Sequence, residues 1–300
     1  MKHLRPGEYA FLLLSSDLGD PGRKPLTSAQ MRQLFQRARD LRRQPDRRDL
    51  ASADIIQMGY SRAFADHVVA LLSQEAELQY YLDRARKADC VPITRASEMY
   101  PAAIRQRLGL ESPGVLWAKG DLSILQMPKV ALVGSRDLQA ENAAFAQEVG
   151  RQAARQGIAL VSGNARGADK LAQNACLEAG GNVISVVADS LETHRRQENL
   201  LYLSENGFDE PFSAQRAISR NRCVHSLGAI TFVAQARPQQ GGTWDGTEKN
   251  LRFGWSQVYC YRDGSLAQRM LWDMGAGAVD MADLADLPRL QWNAESFFDQ

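Results

Sequence analysis

Two stretches decide how this chain folds: Val130-Ala131-Leu132-Val133-Gly134-Ser135-Arg136, and then Leu160-Val161-Ser162-Gly163-Asn164-Ala165-Arg166-Gly167-Ala168-Asp169. Each begins as a short apolar run and stops at a glycine. Lys129 to Val133 and Ile158 to Val161 are too short for helices and are bounded by breakers, so both read as buried strands. Between them Phe145, Val149 and Ala153 fall at helical spacing. After the second, a helix is expected from about Ala168 to Ala179. Working outward, Val183 to Val187, Ile230 to Ala234 and Val258 to Tyr261 read as three further strands. Strands separated by helices of this length predict βαβ units, hence a parallel sheet with helices on both faces.

Upstream the period changes. Thr27 and Ser28 supply N-cap candidates before Met31, Leu34 and Phe35. Ala53 to Met58, Phe64 to Leu72 and Leu78 to Ala88 are short amphipathic stretches, punctuated by Pro45 and Gly59. Residues 1–95 therefore read as a small helical unit, residues 96–283 as the α/β unit, and 284–300 as a tail. Residues 90–128, with Pro92, Pro101, Pro113 and Gly120, read as a connector. Within the helical unit Arg32, Arg37, Arg39, Arg42, Arg43, Arg47 and Arg48 make a basic run, interrupted by Asp40 and Asp46. It is either a surface for an acidic partner or a solvated face with local ion pairs.

Composition narrows the class. The chain has 300 residues, 44% hydrophobic and 24% charged, with a formal net charge of +1, as in a globular protein with a sizeable core. A global polyanion binder is not indicated, but a local basic site is compatible with this balance. No apolar run approaches the roughly 20 residues that span a bilayer; Ala10 to Leu14 is far too short, and a cytoplasmic protein is expected. Cys90, Cys176, Cys223 and Cys260 are widely spaced, as are His3, His67, His194 and His225. Reduced buried thiols are expected, with neither a disulfide framework nor a metal site.

Four elements carry candidate chemistry. In an open parallel sheet ligands sit at the carboxyl ends of the strands. There glycines admit close approach, helix starts offer N–H groups to anions, and arginines grip phosphate. Gly134-Ser135-Arg136 and Ser162-Gly163-Asn164-Ala165-Arg166-Gly167 are two such loops. Arg220-Asn221-Arg222, shortly before the Ile230 strand, adds two cations and an amide. Gly241-Gly242-Thr243-Trp244-Asp245-Gly246-Thr247-Glu248 follows that strand, with a helix expected from near Thr247. Trp244 is read first as a packing residue, with base stacking as the alternative. Neither a dinucleotide-binding fingerprint nor a P-loop is present.

These four elements, in this order, resemble the DNA-processing protein A (DprA/Smf) family. The resemblance extends to Tyr100-Pro101 and to Pro113-Gly114-Val115-Leu116-Trp117-Ala118-Lys119-Gly120-Asp121, and spans roughly 95–265. It implies a Rossmann-like α/β domain preceded by a small helical (SAM-like) domain, single-stranded DNA held in a basic pocket, a homodimer, and hand-over to a RecA-type recombinase. No cofactor or metal is implied. Carried over, Arg136, Arg166, Arg220 and Arg222 would take phosphates. Gly134, Ser135, Ser162, Gly163, Asn164, Gly167, Asn221, Gly242 and Thr243 would supply the rest of the pocket. The chain departs from the family pattern at Gln173, at Gln235 and at Gly241-Gly242-Thr243, and no C-terminal winged helix is recognisable.

Two alternatives share the same loops. The Gly241 to Glu248 stretch also resembles the signature of lysine-decarboxylase-like phosphoribohydrolases, in which Arg222 and Glu248 would act on the glycosidic bond of a nucleoside monophosphate. A sensor binding a nucleotide without turnover would use the pocket in the same way.

Overall fold

The computed structural model describes residues 4–40 and 50–290. Five helices come first: α1 (Pro6–Ser15), α2 (Ser28–Asp40), α3 (Ser52–Gln57), α4 (Arg62–Leu72) and α5 (Glu75–Lys87). Their ends follow local rules. Pro6 opens α1, where its missing N–H is harmless. The Ser61 hydroxyl accepts from Phe64 N–H to cap α4. Glu75 and Glu77 stand in the first turn of α5, and Arg84, Arg86 and Lys87 in its last, complementing the helix dipole. α1 is absent from the sequence expectation because Ala10 to Leu14 is apolar without a helical period.

Next come β1 (Val91–Thr94), α6 (Ala102–Leu108), β2 (Val115–Lys119) and β3 (Lys129–Val133), followed by α7 (Ala140–Arg155), β4 (Ala159–Ser162), α8 (Ala168–Glu178) and β5 (Val183–Val186). β6 (Leu200–Ser204), α9 (Ala214–Ser219), α10 (Asn221–Leu227), β7 (Ile230–Val233), α11 (Gly241–Phe253), β8 (Gln257–Tyr261), α12 (Leu266–Asp273) and β9 (Gly277–Val279) complete the order. Among the described residues these strands form one nine-stranded sheet, in the order β1-β2-β6-β5-β4-β3-β7-β8-β9. Pairing is parallel from β6 to β9, and β2 runs antiparallel to both its neighbours. From β3 the chain steps outward to β4, β5 and β6, then restarts on the other side at β7. The direction reverses between β3 and β7, which is where loops part and a crevice opens in folds of this kind.

Strand periodicity divides the core into two layers. Val130 and Leu132 of β3 face α7, α8 and the amino-terminal helices, whereas Ala131 and Val133 face the layer of α6, α10, α11 and α12. Leu200 and Tyr202 against Leu201 and Leu203 repeat the division on β6.

Three expectations need correction. The stretch 90–128 is not a plain connector: it contributes β1, α6 and β2, so the sheet already begins before residue 96. β6 was not expected, because only a short 3-10 turn at Leu191–Thr193 joins it to β5, and no helical period announced the unit. α11 starts at Gly241 rather than near Thr247. Its glycines lower helix propensity, but they admit the side chains of α10: a Cβ at Gly242 would stand 3.3 Å from Asn221 Nδ2, and one at Gly246 would stand 3.0 Å from His225 Nε2.

Of the basic run, Arg42, Arg43, Arg47 and Arg48 lie outside the described residues, as do residues 291–300 of the tail. Within the tail Leu284 and Leu287 are buried. All four cysteines are buried and unpaired. Among the described residues no helix is long and apolar enough to cross a membrane, and no cluster of ligating side chains is suited to a metal ion.

Candidate functional site

The loops after β3, β4 and β7 are stitched together at the carboxyl edge of the sheet. Gly167 has φ +88°, and a Cβ there would stand 2.4 and 2.5 Å from the carbonyl oxygens of Arg136 and Ser135. Only glycine lets these two loops touch. Ala168 N–H then donates to Ser135 O at 3.2 Å. Ser135 donates both its N–H (2.9 Å) and its hydroxyl (3.2 Å) to the Gln235 carbonyl. Gln235 Oε1 accepts from Gln139 N–H at 2.9 Å. The Thr243 hydroxyl, in the first turn of α11, donates to Gly134 O at 2.9 Å.

Arg220 occupies the centre. It ends α9 and begins α10, and it is only 7% exposed. Its guanidinium lies directly on Gly163: a Cβ there would fall 1.3 Å from Nη1 and 2.1 Å from Cζ. Beneath it the buried Asp169 accepts from the N–H groups of Gly163 (3.0 Å) and Ala165 (3.2 Å). Burial pushes the Asp169 carboxyl up from its ordinary range, opposed by the attraction of Arg220. Burial lowers the Arg220 guanidinium, opposed by Asp169. Charge balance is thus local, yet Arg220 makes no side-chain hydrogen bond among the described residues, and its Nε is buried without a partner. Beside it Asn164, held at φ +62°, has a buried Oδ1 that is also unpartnered. Donors and acceptors left unmade in a buried place are costly unless something else meets them.

The other expected residues separate into groups. Arg136 is exposed and has no side-chain partner among the described residues. Arg166 and Arg237 share Asp137, at 2.9 and 3.5 Å, on the open rim. Ser162 faces inward: its hydroxyl accepts from Gln173 Nε2 at 2.6 Å, and Gln173 also reaches Ser185 Oγ at 3.2 Å. Asn221 ties α10 to α11 by donating to Gly242 O at 3.0 Å. Arg222 turns away from the rim. It pairs with Glu205 at 2.8 Å, donates to the Glu111 carbonyl at 3.2 Å, and contacts the Ser219 carbonyl and hydroxyl. Glu205 has a side chain 2% exposed, so this ion pair is part of the fold.

Trp244 is 5% exposed and packs in the core layer of α10 and α12. Its Nε1–H donates to Glu248 at 3.2 Å. Arg222 and Glu248 are therefore held by different partners rather than aimed at a common bond.

Sequence reasoning did not assign Asp169, although it stands in the quoted stretch. The signal is positional: a carboxylate six residues after Gly163, at a helix start, can fold back onto the loop N–H groups. Gln173 and Gln235, noticed only as departures, are the polar struts of the site.

A family model described as DNA recombination-mediator protein A matches residues 92–255, more than half of the chain. The DNA processing protein DprA of Streptococcus pneumoniae is 32% identical over 163 residues, covering 51% of this chain and 54% of that protein. The chain spans about half the length of the curated relatives it matches first. The X-ray structure of DprA from Streptococcus pneumoniae covers 95% of this chain and 98% of its own, with TM-score 0.68 at 24% identity, a likeness of fold. A Helicobacter pylori DNA processing protein A, whose structure concerns its single-stranded DNA binding mode, covers 69% of this chain and 96% of its own at TM-score 0.52 and 20% identity. The matched span runs from β1 to the end of α11 and so includes every loop of the site: this chain belongs to the DNA recombination-mediator protein A family.

Proposed function

We propose that this chain binds single-stranded DNA along the carboxyl edge of its sheet and acts in DNA processing, within recombination or DNA uptake. The observation that carries the reading is Arg220, a buried guanidinium on Gly163 with donors unspent. A backbone phosphate at the mouth of this slot gains a charge-assisted contact that no group of the protein supplies. Arg136 and Arg166 lie on the rim for neighbouring phosphates, and Asp137 is the anion a phosphate displaces from Arg166. Arg222 contributes by holding the turn that carries Arg220. Self-association and delivery of the strand to a RecA-type recombinase belong to the same proposal. Leu266, Met270 and Met274 make an apolar stripe along α12 and its cap, which supports a homodimer surface.

A short fluorescent thymidine oligonucleotide of about 4 residues, titrated at several salt concentrations, tests the reading. Three arginine contacts predict a slope of log K against log salt near −2, at about −0.7 per phosphate on a single strand. Excess AMP should leave binding nearly unchanged, since a lone nucleotide meets one contact of several. No binding, or displacement by micromolar AMP, would overturn the strand reading in favour of a nucleotide sensor.

A further inference from the structure

The carboxyl edge continues past β6. β2 pairs antiparallel with β6, Trp117 opposite Ser204, and β1 pairs antiparallel with β2, Thr94 opposite Val115. The start of β2 and the end of β1 therefore lie on the edge that carries the Arg220 site. β2 stands three strand spacings from β4, about 14 Å across the sheet.

At that place a groove of about 750 Å³ opens between α1, α2 and the segment 95–114. α2 turns Met31, Arg32 and Phe35 into it at helical spacing, opposite Arg95 and Leu110. Phe35 stacks on Phe11, with centroids 6.0 Å apart, yet remains 41% exposed, and Leu110 is 44% exposed. Every charged side chain lining the groove is an arginine: Arg32, Arg95 and Arg105. Arg105 donates to the Arg95 carbonyl and lies over the Tyr100 ring, so it belongs to the wall. The side chains of Arg32 and Arg95 have no hydrogen bond or ion pair among the described residues. The groove also adjoins the main site through the chain itself: Leu110 lines it, and the next carbonyl, that of Glu111, accepts from Arg222 beside the Arg220 turn.

The geometry points to a second subsite for the same DNA strand, in which a base stacks at Phe35 and the flanking phosphates meet Arg32 and Arg95. This rests on the reading of the Arg220 slot as a strand site. A single strand fits because it needs both halves of the groove, an aromatic face for a base and cations for the backbone. It also fits because a polyanion leaving Gly163 along the carboxyl edge passes the start of β2 and the end of β1, next to which Arg95 stands without a side-chain partner among the described residues. The amino-terminal helices thereby become part of the DNA-binding surface rather than an appendage to the sheet.

The test uses the full chain and thymidine oligonucleotides of about 4 and about 16 residues, the range of single-strand site sizes. The double variant Arg32→Ala/Arg95→Ala should flatten the salt slope for the long strand by about 1.4, two contacts at about 0.7 each, and leave the short strand unaffected. Phe35→Ser should weaken the long strand about five-fold or more, the loss of one stacked base. Arg32 and Arg95 make no side-chain hydrogen bond or ion pair among the described residues, so that double variant should melt at the wild-type temperature; Phe35→Ser loses its stack on Phe11 and should melt somewhat lower, so its affinity is read well below its Tm. Photocrosslinking from a 5-iodouracil strand should label the Phe35 peptide of the unaltered protein. Labelling confined to the loops after β3 and β4 overturns the proposal. So does unchanged long-strand affinity in both variants while Arg136→Ala still weakens both strands, a result that leaves the main site standing. Failure of the wild type to bind either strand overturns both. Binding of an acidic, aromatic-containing peptide in the groove with strand affinity unaltered assigns it to a protein partner instead.

Discussion

Gly163→Ala isolates the contact on which the site is built. The new methyl would stand 1.3 Å from Arg220 Nη1 and 2.1 Å from Cζ, far inside the roughly 3.5 Å at which such atoms attract. Gly163 is not in the left-handed region, so alanine strains no backbone there and the effect must pass through Arg220. The guanidinium has to withdraw, and the buried Asp169 loses the cation that opposes its desolvation. Overpacking a tight site costs about 1–3 kcal/mol. Stripping a buried ion of its partner costs about 3–5 kcal/mol, but Asp169 keeps two N–H donors. A total near 3 kcal/mol follows, or a fall in Tm of about 6–12 °C at about 2–4 °C per kcal/mol. One phosphate contact should disappear with it, flattening the salt slope by about 0.7. The decisive measurement is a double-mutant cycle by thermal melting. In Gly163→Ala/Arg220→Ala the methyl enters the slot the arginine has left, so the double variant should be no less stable than Arg220→Ala alone. If the two losses simply add, or if Gly163→Ala melts and binds like the wild type, the slot is not where the arginine acts.

Two further tests follow from the surroundings of the slot. Arg222→Ala leaves the Glu205 carboxylate buried without its guanidinium and should cost about 3 kcal/mol of stability while leaving the salt slope of the refolded variant unaltered; a flattened slope at unchanged Tm would return Arg222 to the phosphate rim. His225 is fully buried, and burial lowers its pKa from the ordinary imidazole value to about 3. It is neutral in the native state, whereas the unfolded chain takes up a proton below about pH 6.5, so stability is present above that value and is lost as pH falls towards 3. Between pH 7 and pH 5 this amounts to about 2 kcal/mol, read as a shift of the urea midpoint that His225→Gln should abolish; an equal shift in the variant would place the acid sensitivity elsewhere.

How much of this was legible depends on whether the signal was local. β3 coincides with the expected Lys129–Val133, and β4, β5, β7 and β8 fall within about one residue of expectation, because a buried parallel strand is an uninterrupted apolar run ended by a breaker. β1 and β2 were hidden by Pro92, Pro101 and Pro113, which read as linker residues although Pro92 itself sits within edge strand β1. The glycines of the site were legible as close-approach positions, but what approaches them was not. That Gly163 receives the arginine of a turn 57 residues later, or that Gly167 receives the Ser135 and Arg136 carbonyls, is settled only by the crossing of chains in the sheet. The same holds for Arg220 and Arg222. They are two residues apart on a short helix and so point in different directions, one into the slot and the other to Glu205.

On the proposed reading, the division between buried and exposed cations would let a chain of net charge +1 hold a polyanion. The rim arginines act in water, where salt at about 0.1 M screens beyond about 10 Å. On that reading they would raise the encounter rate and set most of the salt slope. Arg220 is buried, its lowered pKa opposed by the attraction of Asp169 and its guanidinium seated on Gly163, so salt would screen it less than the rim. A phosphate contact made there would weaken less with salt than the rim contacts. The interlocked glycines make that arrangement stiff: Gly134 on Ala168, Gly163 on Arg220, and Gly167 on the Arg136 carbonyl leave no room for one loop to move without the next. A preformed slot spends little binding energy on ordering itself, which suits the proposed role of holding a strand by its backbone.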